Sequence, residues 1–586
     1  MKKAISKVLL TALSAAVILS ACSKAPEESR FIPKTAGVVL ELNAKQLTTK
    51  LVSNGITMDK LFEAVQQKDT SNEVMKAWKD AENSGVDLQS HFFLSVVTPT
   101  TAGLDQYVSV TASLKDADKF EAFVKKQSPD LKIETKNDLK YFWKADEQCI
   151  VGWTKSTTIL IKSINTNELK KFAPGQQGFP APGDAPAEAD STEVSPVALV
   201  SDSNEAAWLT ELDHLFHLKK DESAASIEPF NKLLKENADA GLFFNAESFY
   251  NSTNMTMIPA NFKKLMEGTY YASTINFENG KIVCEGDSYL GKEMTAIMKK
   301  YGSKEIDYDL IKKYPGTNIT GLIAYAFDFH MIGDIIKLMS VDGMVNMSLA
   351  KSGVTLDDIL DAFEGQLAYV ASDFAITKQE SQYMPGHFSD KPSAKWIFTL
   401  KVGKKEAFDK IMTSPMLKDV FAKEGDHYVI TNPMMAATAP PMSITDKYIT
   451  LGSDSTLLQE YLAGKGSIKL PEGVESKLKG NMMAGYVDLD KLVNSVPDSE
   501  VDADAKPLFA KAKELFKDAY FNTKMNGNDK QHGEIVINFK NKDQNSLVQL
   551  VNFGTEAAKL IQEKKAKEEG ENAAIDSAAA NADTVK

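Results

Sequence analysis

The chain has 586 residues, with 67 Lys and Arg against 80 Asp and Glu, and a formal net charge of −13. That sign excludes nucleic acid and anionic lipid headgroups as partners bound through a basic surface, because both need an excess of Lys and Arg. Apolar residues make up 43% of a chain that is too long for one hydrophobic core, so we expect several folded units.

The N-terminus has the pattern of a bacterial lipoprotein signal. Three lysines precede a short apolar run, 8–20, which ends in the tetrapeptide Leu19-Ser20-Ala21-Cys22. That run is too short for a permanent membrane span. We predict a cleaved signal peptide at 1–21, a diacylglyceryl group on the thiol of Cys22 and a lipid tether at 22–30; the alternative is an ordinary secretory signal with a chance cysteine. Membrane attachment then depends on the acyl chains, since no later apolar run reaches the ~18 residues of a membrane-spanning helix.

A sequence pattern from the first part of the chain recurs in the second. The segment 55–65 recurs as 353–363, and Thr57 and Thr355 lie where a helix N-cap is expected, before acidic residues in the first turn. An apolar strand and an amphipathic helix precede each copy. Matching strands follow in the same order, each before a helix: 107–111 with 396–400, and 158–161 with 448–451.

The last match falls near the end of each copy. Segment 240–245 aligns with 484–489, and a helix and a β-hairpin follow each. The first hairpin turns at Asn279-Gly280, a favoured two-residue turn, and the second near 526–528. We interpret the chain as a tandem duplication, with halves at 31–300 and 305–562.

Strands with alternating apolar residues, such as 273–277 and 535–539, predict antiparallel sheets with one buried face. Helices that fall between the strands can cover that face. The predicted fold class is therefore α+β, with two tandem, duplicated halves that are each an antiparallel sheet packed with helices. Two segments lie outside this pattern: a mobile insertion rich in Pro, Gly and Ala at 173–196, and a flexible C-terminal tail at 563–586.

Two cysteines besides Cys22 lie in strand-like runs, Cys149 and Cys284. An oxidising compartment permits a disulfide between them, but no framework of spaced cysteines requires one. Cysteine also serves as a small buried hydrophobic residue, and we favour two buried thiols.

Two groups of residues consist of amino acids that can bind metal ions. His214 and His217 have the i, i+3 spacing that brings two ligands to one helix face, near Asp213. The segment is also amphipathic through Leu209, Leu212 and Leu215, which would leave both histidines at the solvated rim. A loop near 434–442 holds three methionines, which suit Cu(I) or, more often, an adaptable apolar contact surface: Met434, Met435 and Met442. We predict no metal and no cofactor at either place.

No catalytic signature is present in the sequence. The nucleophile elbow, the His-Glu-x-x-His zinc motif and the phosphate-binding loop are all missing, although dispersed active sites leave no such pattern. Three acidic residues have a simpler role as charges near a helix N-terminus: Asp357, Asp358 and Asp361. Asp488 and Asp490 alternate with apolar strand positions, which indicates a solvated edge or a helix entry. We therefore name no catalytic residue and no cofactor-binding residue.

The chain resembles an uncharacterised family of Bacteroidetes lipoproteins that carry a domain of unknown function. The resemblance lies in the lipoprotein signal, in the segment 31–34 that leads into an apolar strand ending at Asn43, and in the duplicated strand–helix units. The resemblance implies a Gram-negative envelope and an outer-membrane lipoprotein that faces the periplasm or the cell surface. It implies no catalytic or binding residue.

The leading hypothesis is a lipid-anchored, non-catalytic interaction or scaffold module of the cell envelope. Its partners would be the membrane, through Cys22, and an envelope protein or glycan; nucleic acid is not expected. The alternative is an envelope receptor or carrier that binds a glycan, peptide or lipid between the halves. An envelope hydrolase with a dispersed site is the third hypothesis.

Overall fold

The computed structural model describes residues 25–56, 83–164, 203–252, 260–380, 386, 388–501, 505–557 and 559–560. The chain divides into two compact units, the first formed by Met1–Thr48 and Met75–Met255, and the second by Thr49–Val74 and Thr256–Lys586. The predicted signal peptide, Cys22, the insertion 173–196 and the tail 563–586 lie outside the described residues. Within the described ranges, no helix is both long and apolar enough to cross a membrane.

The structure contains helices and strands in alternation throughout both units. Up to Met255 they are β1 Ala36–Asn43, α1 Ala44–Ser53, β2 His91–Val97, β3 Tyr107–Ser113, α2 Ala117–Gln127, β4 Glu134–Lys136, β5 Leu139–Lys144, β6 Cys149–Trp153, β7 Thr157–Ser163, α3 Ser203–Phe216, α4 Glu228–Leu233, β8 Ala240–Asn245 and α5 Ala246–Ser252.

The second unit continues with α6 Ala260–Met266, β9 Tyr270–Glu278, β10 Lys281–Tyr289, α7 Lys292–Tyr301, α8 Asp309–Lys312, β11 Ile319–Ala326, α9 Phe329–Leu338, α10 Asp342–Leu349, α11 Leu356–Ala362, β12 Phe363–Glu380, β13 Phe388–Val402, α12 Lys405–Met412, β14 Phe421–Glu424, β15 His427–Ile430, α13 Pro433–Thr438, β16 Met442–Thr445, β17 Tyr448–Gly452, α14 Ser455–Leu462, α15 Val474–Leu478, β18 Met483–Val487, α16 Leu489–Asn494, α17 Lys506–Leu515, β19 Phe516–Met525 and β20 Lys530–Phe539.

Both units are built on antiparallel strands, so the α+β fold class is confirmed. In the first unit the hydrogen-bonded order is β4-β5-β6-β7-β3-β2-β1-β8. In the second unit the order β14-β15-β16-β17-β13-β12-β11-β18 repeats this arrangement strand for strand and continues as β19-β20-β10-β9. The two units therefore share one order over eight strands, while the tandem duplication stays a prediction.

The register differs by one residue from the sequence match of 240–245 with 484–489. Gly241 pairs with the buried Glu41 and therefore lies on the buried face of its sheet. Gly485 pairs with Ile323, which lies on the face opposite to the buried Ala324. Because side chains alternate along a strand, a shift of one residue exchanges the two faces of the sheet. The strand pairing instead makes Asn245 correspond to Asp488.

That corrected correspondence is supported by the helix starts. The side chain of Asn245 accepts a hydrogen bond from the backbone N–H of Ser248, at 3.3 Å. The side chain of Asp488 accepts one from the N–H of Lys491, at 2.9 Å. Each residue therefore caps the helix that follows its strand, a role that suits Asn and Asp equally well.

Each unit has its own hydrophobic core between helices and sheet. In the first unit, Phe120 of α2 packs edge-on against Trp153 of β6, with ring centroids 5.3 Å apart. In the second, the predicted strand 448–451 and helix residues Leu457 and Leu458 lie against a larger core; its members include Ile311, Tyr314, Leu322, Ala324, Val370, Tyr461, Leu478 and Tyr486.

The predicted tether is described only from Ala25 onward, and from Glu27 it is folded. Residues Glu27–Phe31 form a 3-10 helix in which Glu28 is buried. Ser113 donates a hydrogen bond to Glu28 Oε1 at 2.6 Å, and Ser90 donates to the same oxygen. The carboxylate thus joins the N-terminal segment to the first unit's sheet.

A long β-hairpin extends beyond its neighbouring strands in the second unit. Residues 375–380 of β12 pair with 388–393 of β13, and the pairings of β11 and β17 end before this part begins. We call these two segments the β-arm. Phe388 at its far end is 63% exposed.

Both remaining cysteines are free thiols in the structure, Cys149 buried and Cys284 partly buried. Burial raises the pKa of Cys149 to about 11, and burial also raises the pKa of Cys284. The favoured prediction of two thiols agrees with this arrangement.

Candidate functional site

The predicted histidine pair lies at the end of α3, at the rim of the first unit. His217 follows the last helical residue, and its Nδ1 lies 2.8 Å from the backbone oxygen of Asp213. Leu212 and Leu215 are fully buried, as the amphipathic pattern predicts. Among the described residues, no group of three or more His, Cys, Asp or Glu is arranged to hold a metal ion.

A buried carboxylate on the same helix was missed by the sequence analysis. Glu211 is fully buried and accepts hydrogen bonds from the hydroxyls of Thr101, at 2.7 Å, and Tyr107, at 2.9 Å. Burial raises the pKa of Tyr107 well above its ordinary value, and the charge of Glu211 adds to the effect. The sequence could have predicted the burial of Glu211, because it lies three residues after Trp208 and next to Leu212, on the apolar face of the helix. The role of this carboxylate is structural, since all its partners belong to the fold.

The methionines are not brought together as one group of ligands. Met434 and Met435 lie on the short helix α13, with 81% and 45% of their surfaces exposed. Met442 lies in β16, where it packs against the core cluster around Phe408.

The predicted acidic residues are engaged within the fold. Thr355 and Asp358 form a capping box at the start of α11, as the sequence predicts for Thr355. Asp361 accepts from His330, and Asp488 caps α16. Asp490 pairs with Lys540 at 2.6 Å.

The candidate site is a cleft of about 540 Å³ in the second unit, which we call the polar cleft. One wall is the face of strands β10, β20 and β19, and the other is the end of α15 with the turn that follows it. Gly480 in this turn has φ of +74°, a conformation that glycine adopts without strain and that ends helices. The lining residues are Glu285, Ser476, Lys477, Lys479, Gly480, Asn481, Asn522, Lys524, His532 and Glu534.

Strand register arranges the sheet wall in rows. Glu285 lies opposite Glu534, and Glu534 lies opposite Asn522 in the next strand. His532 likewise lies opposite Lys524 on one side and Asp287 on the other. Opposed residues of antiparallel strands share a face, so polar groups stand about 5 Å apart across the strands.

Glu534 is the most strongly bound side chain of the cleft. Its Oε2 accepts from Lys477 Nζ at 2.6 Å and from Asn522 Nδ2 at 2.9 Å. Burial alone would raise the pKa of Glu534, but the hydrogen bonds from Lys477 and Asn522 lower it below its usual value. The carboxylate is therefore held ionised.

Asn481 supplies an acceptor that no group satisfies. The residue is only 6% exposed, and its Nδ2 donates to the backbone oxygens of Lys477, at 2.6 Å, and Lys479, at 3.3 Å. These two bonds fix the orientation of the amide. Its Oδ1 is buried and has no hydrogen-bond partner in the described part of the chain. A buried acceptor left in this state costs about 1–3 kcal/mol, so a donor at this point would be stabilising.

Two charged side chains of the cleft are exposed and have no ion pair in the described ranges, Glu285 and Lys524. His532 is oriented by its neighbours instead, since its Nδ1 lies 2.9 Å from Asp287 Oδ1 and Lys530 Nζ lies 3.0 Å from Asp287 Oδ2. The cleft therefore offers both hydrogen-bond donors and acceptors to a ligand, with its deepest carboxylate already neutralised.

Fold and site together define an α+β protein with antiparallel sheets and a polar cleft. Residues 29–175 match the family model described as "Domain of unknown function (DUF4836)". No curated protein matches the chain.

Among solved structures, crystal form IV of TP0453 matches with a TM-score of 0.24 and 8% identity, over 47% of this chain and 86% of that one. Crystal form III matches with a TM-score of 0.23 and 10% identity, over 48% and 88%.

Proposed function

We propose that this protein is a lipid-anchored, non-catalytic interaction module of the cell envelope that binds a polar partner molecule in the polar cleft. The observation that carries the proposal is a cleft that combines a satisfied Lys477–Glu534 pair with two exposed charges, Glu285 and Lys524, that have no ion pair in the described residues. The cleft lies wholly within the second unit, where Glu285 comes from the predicted half 31–300 and the other lining residues come from 305–562.

The electrostatics of the cleft argue against a general acid at Glu534. General acid catalysis needs a carboxyl group with a raised pKa, which stays protonated near neutral pH. The pKa of Glu534 is lowered instead, because Lys477 and Asn522 overcome the effect of burial. An ionised, hydrogen-bonded carboxylate orients ligands but does not donate protons.

The proposed lipid anchor and the proposed cellular location are both argued from the sequence. The tetrapeptide that ends in Cys22 supports lipidation, and the resemblance to Bacteroidetes lipoproteins supports an outer-membrane lipoprotein. We propose that it faces the periplasm or the cell surface.

The test is purification of the lipidated protein from its own membranes, followed by mass spectrometry of retained molecules. We expect wild type to retain a ligand that a Glu285→Gln/Lys524→Gln variant loses. The matched control is Glu424→Gln/Lys418→Gln, which changes two exposed residues that do not line the cleft. Equal retention by the cleft variant would contradict the proposal, as would turnover that a single polar substitution abolishes.

A scaffold role has separate support in the β-arm. A two-stranded ribbon by itself is at best marginally stable in water, so its outer edges are available for a further strand. Pro392 removes a donor from the β13 edge, which leaves the β12 edge, 375–380, as the better template.

The scaffold role predicts that replacing 375–393 with an Asn-Gly turn keeps the fold and abolishes cross-links to an envelope protein. A cross-linking pattern that the replacement leaves unchanged would defeat this second candidate.

A further inference from the structure

We infer that the ligand of the polar cleft is a neutral saccharide, bound through its hydroxyl groups. This inference rests on the proposed binding function and narrows it to one chemical class. It follows from the charges of the cleft, from the mixture of donors and acceptors in its wall and from the position of the wall inside the sheet.

The charges disfavour an ionic ligand of either sign. Lys477 and Glu534 neutralise each other, and Lys479 is paired with Glu475 outside the cleft. The two charges of the wall that have no ion pair in the described residues are Glu285, which repels a carboxylate or phosphate, and Lys524, which repels an ammonium group. One charge of each sign gives the cleft no net attraction for an anion or a cation, so a neutral ligand has the lowest electrostatic cost.

The hydrogen-bonding groups favour hydroxyls. Glu285 can only accept as a carboxylate, whereas Lys524 can only donate. Both line one cleft, with Glu285 on β10 and Lys524 on β19, two strand spacings or about 10 Å apart. A hydroxyl group both donates and accepts, so a ring that carries several hydroxyls meets both kinds of wall residue without bringing in a charge.

The position of the wall disfavours an extended peptide. Peptides most often bind sheets by adding a strand at an open edge. Here β10 is paired on both sides, with β9 and β20, and β20 is paired with β10 and β19. Their backbone groups are taken, which leaves only side chains for a ligand. The width of a pyranose ring is comparable to the spacing of these side chains across the strands.

The experiment is calorimetric titration of the full, detergent-solubilised lipoprotein with defined probes. The saccharide probes are glucose, galactose, mannose, N-acetylglucosamine and a linear tetramer of each; inorganic phosphate and trilysine are the ionic probes. We expect saturable binding of at least one saccharide and none of the ionic probes.

The variants assign the binding to the cleft. Glu285→Gln and Lys524→Gln should each weaken saccharide affinity about tenfold or more, the scale of one hydrogen bond to a charged group. Glu424→Gln and Lys418→Gln should leave it unchanged. Because all four residues are exposed, the thermal midpoints of the variants should match wild type and exclude misfolding as the cause.

Three outcomes would overturn the inference. Binding of phosphate or trilysine with the same dependence on Glu285 and Lys524 would reject the saccharide and leave the binding function standing. Saccharide binding that the cleft variants do not weaken would place the site elsewhere. Absence of binding by every probe, with no ligand retained by the native protein, would reject both the saccharide and the proposed function.

Discussion

His330 and Asp361 are joined by a hydrogen bond of 2.9 Å between imidazole Nε2 and carboxylate Oδ1, which connects the first turn of α9 to the last turn of α11. The other ring nitrogen, Nδ1, lies 2.8 Å from Asp328. Each ring nitrogen therefore faces a carboxylate, and the two contacts fix the orientation of the imidazole. Lys404 also donates to Asp361, at 2.9 Å.

The first prediction concerns the pH dependence of this contact. The hydrogen bond from Lys404, with a smaller contribution from His330 and against the effect of burial, holds the pKa of Asp361 below its usual value. A carboxyl group whose pKa is lower in the folded state stabilises the fold above its unfolded pKa of about 3.9, and this stabilisation is lost as the pH falls through the lower folded value.

Asp361→Asn should therefore lower the free energy of unfolding by about 1 kcal/mol at pH 7, with the difference from wild type shrinking below pH ~4. Urea unfolding at several pH values measures this. Asp419→Asn, at an exposed position, is the control. A difference that is constant over the whole pH range would contradict the account.

The second prediction concerns the buried carboxylate of α3. Glu211→Leu should destabilise the protein by about 3 kcal/mol, because the hydroxyls of Thr101 and Tyr107 lose their acceptor inside the fold. Glu211→Gln should cost less, since one acceptor oxygen remains. Thermal and urea unfolding compare both with Glu236→Leu at an exposed site. Equal stability of Glu211→Leu and wild type would show that the network contributes nothing.

The third prediction concerns thiol reactivity. The thiolate is the reactive form, and burial raises the pKa of Cys149 to about 11, so Cys149 should react with an aromatic disulfide reagent only at the rate of unfolding. Cys284 is partly exposed and should react faster. A Met434→Cys variant, at an 81% exposed position, gives the rate for an open thiol. Equal rates for Cys149 and this control would refute the prediction.

The fourth prediction concerns the anchor. Cys22→Ser should abolish incorporation of radiolabelled palmitate and move the protein from the membrane fraction to the soluble fraction, because the acceptor thiol is lost. Cys284→Ser is the matched control and should keep both label and location. Continued membrane attachment of the Cys22→Ser protein, without label, would favour a different mode of retention.

Local sequence patterns predicted local structure well. The capping box at Thr355 and the hairpin turn at Asn279-Gly280 both follow from residue type, and Gly280 has φ of +67°. The strand order is a different case, because the pairing of β10 with β20 joins segments far apart in the chain. The one-residue shift between Gly241 and Gly485 also could not be predicted locally. Both glycines follow an alanine at the start of an apolar strand, and only the strand pairing shows which face of the sheet each one occupies.

The polar cleft could not be predicted from spacing. Its wall combines Glu285, Glu534 and Asn522 from three strands, and only the register brings them into one row. Glu211 is the opposite case. Its position relative to Trp208 and Leu215 places it on the buried face of a helix, but a glutamate on an apolar stripe is easily taken for an exposed residue.

The pairing of β10 with β20 also determines when the second unit can be completed. More than two-fifths of the chain lies between the partners Lys281 and Asn538, and until the C-terminal hairpin is present, β10 has an unpaired edge. Such distant pairing folds slowly, and open strand edges invite aggregation in the meantime. A chain truncated before β19 would therefore be an aggregation-prone fragment and not a smaller working protein, because β10 would keep its unpaired edge.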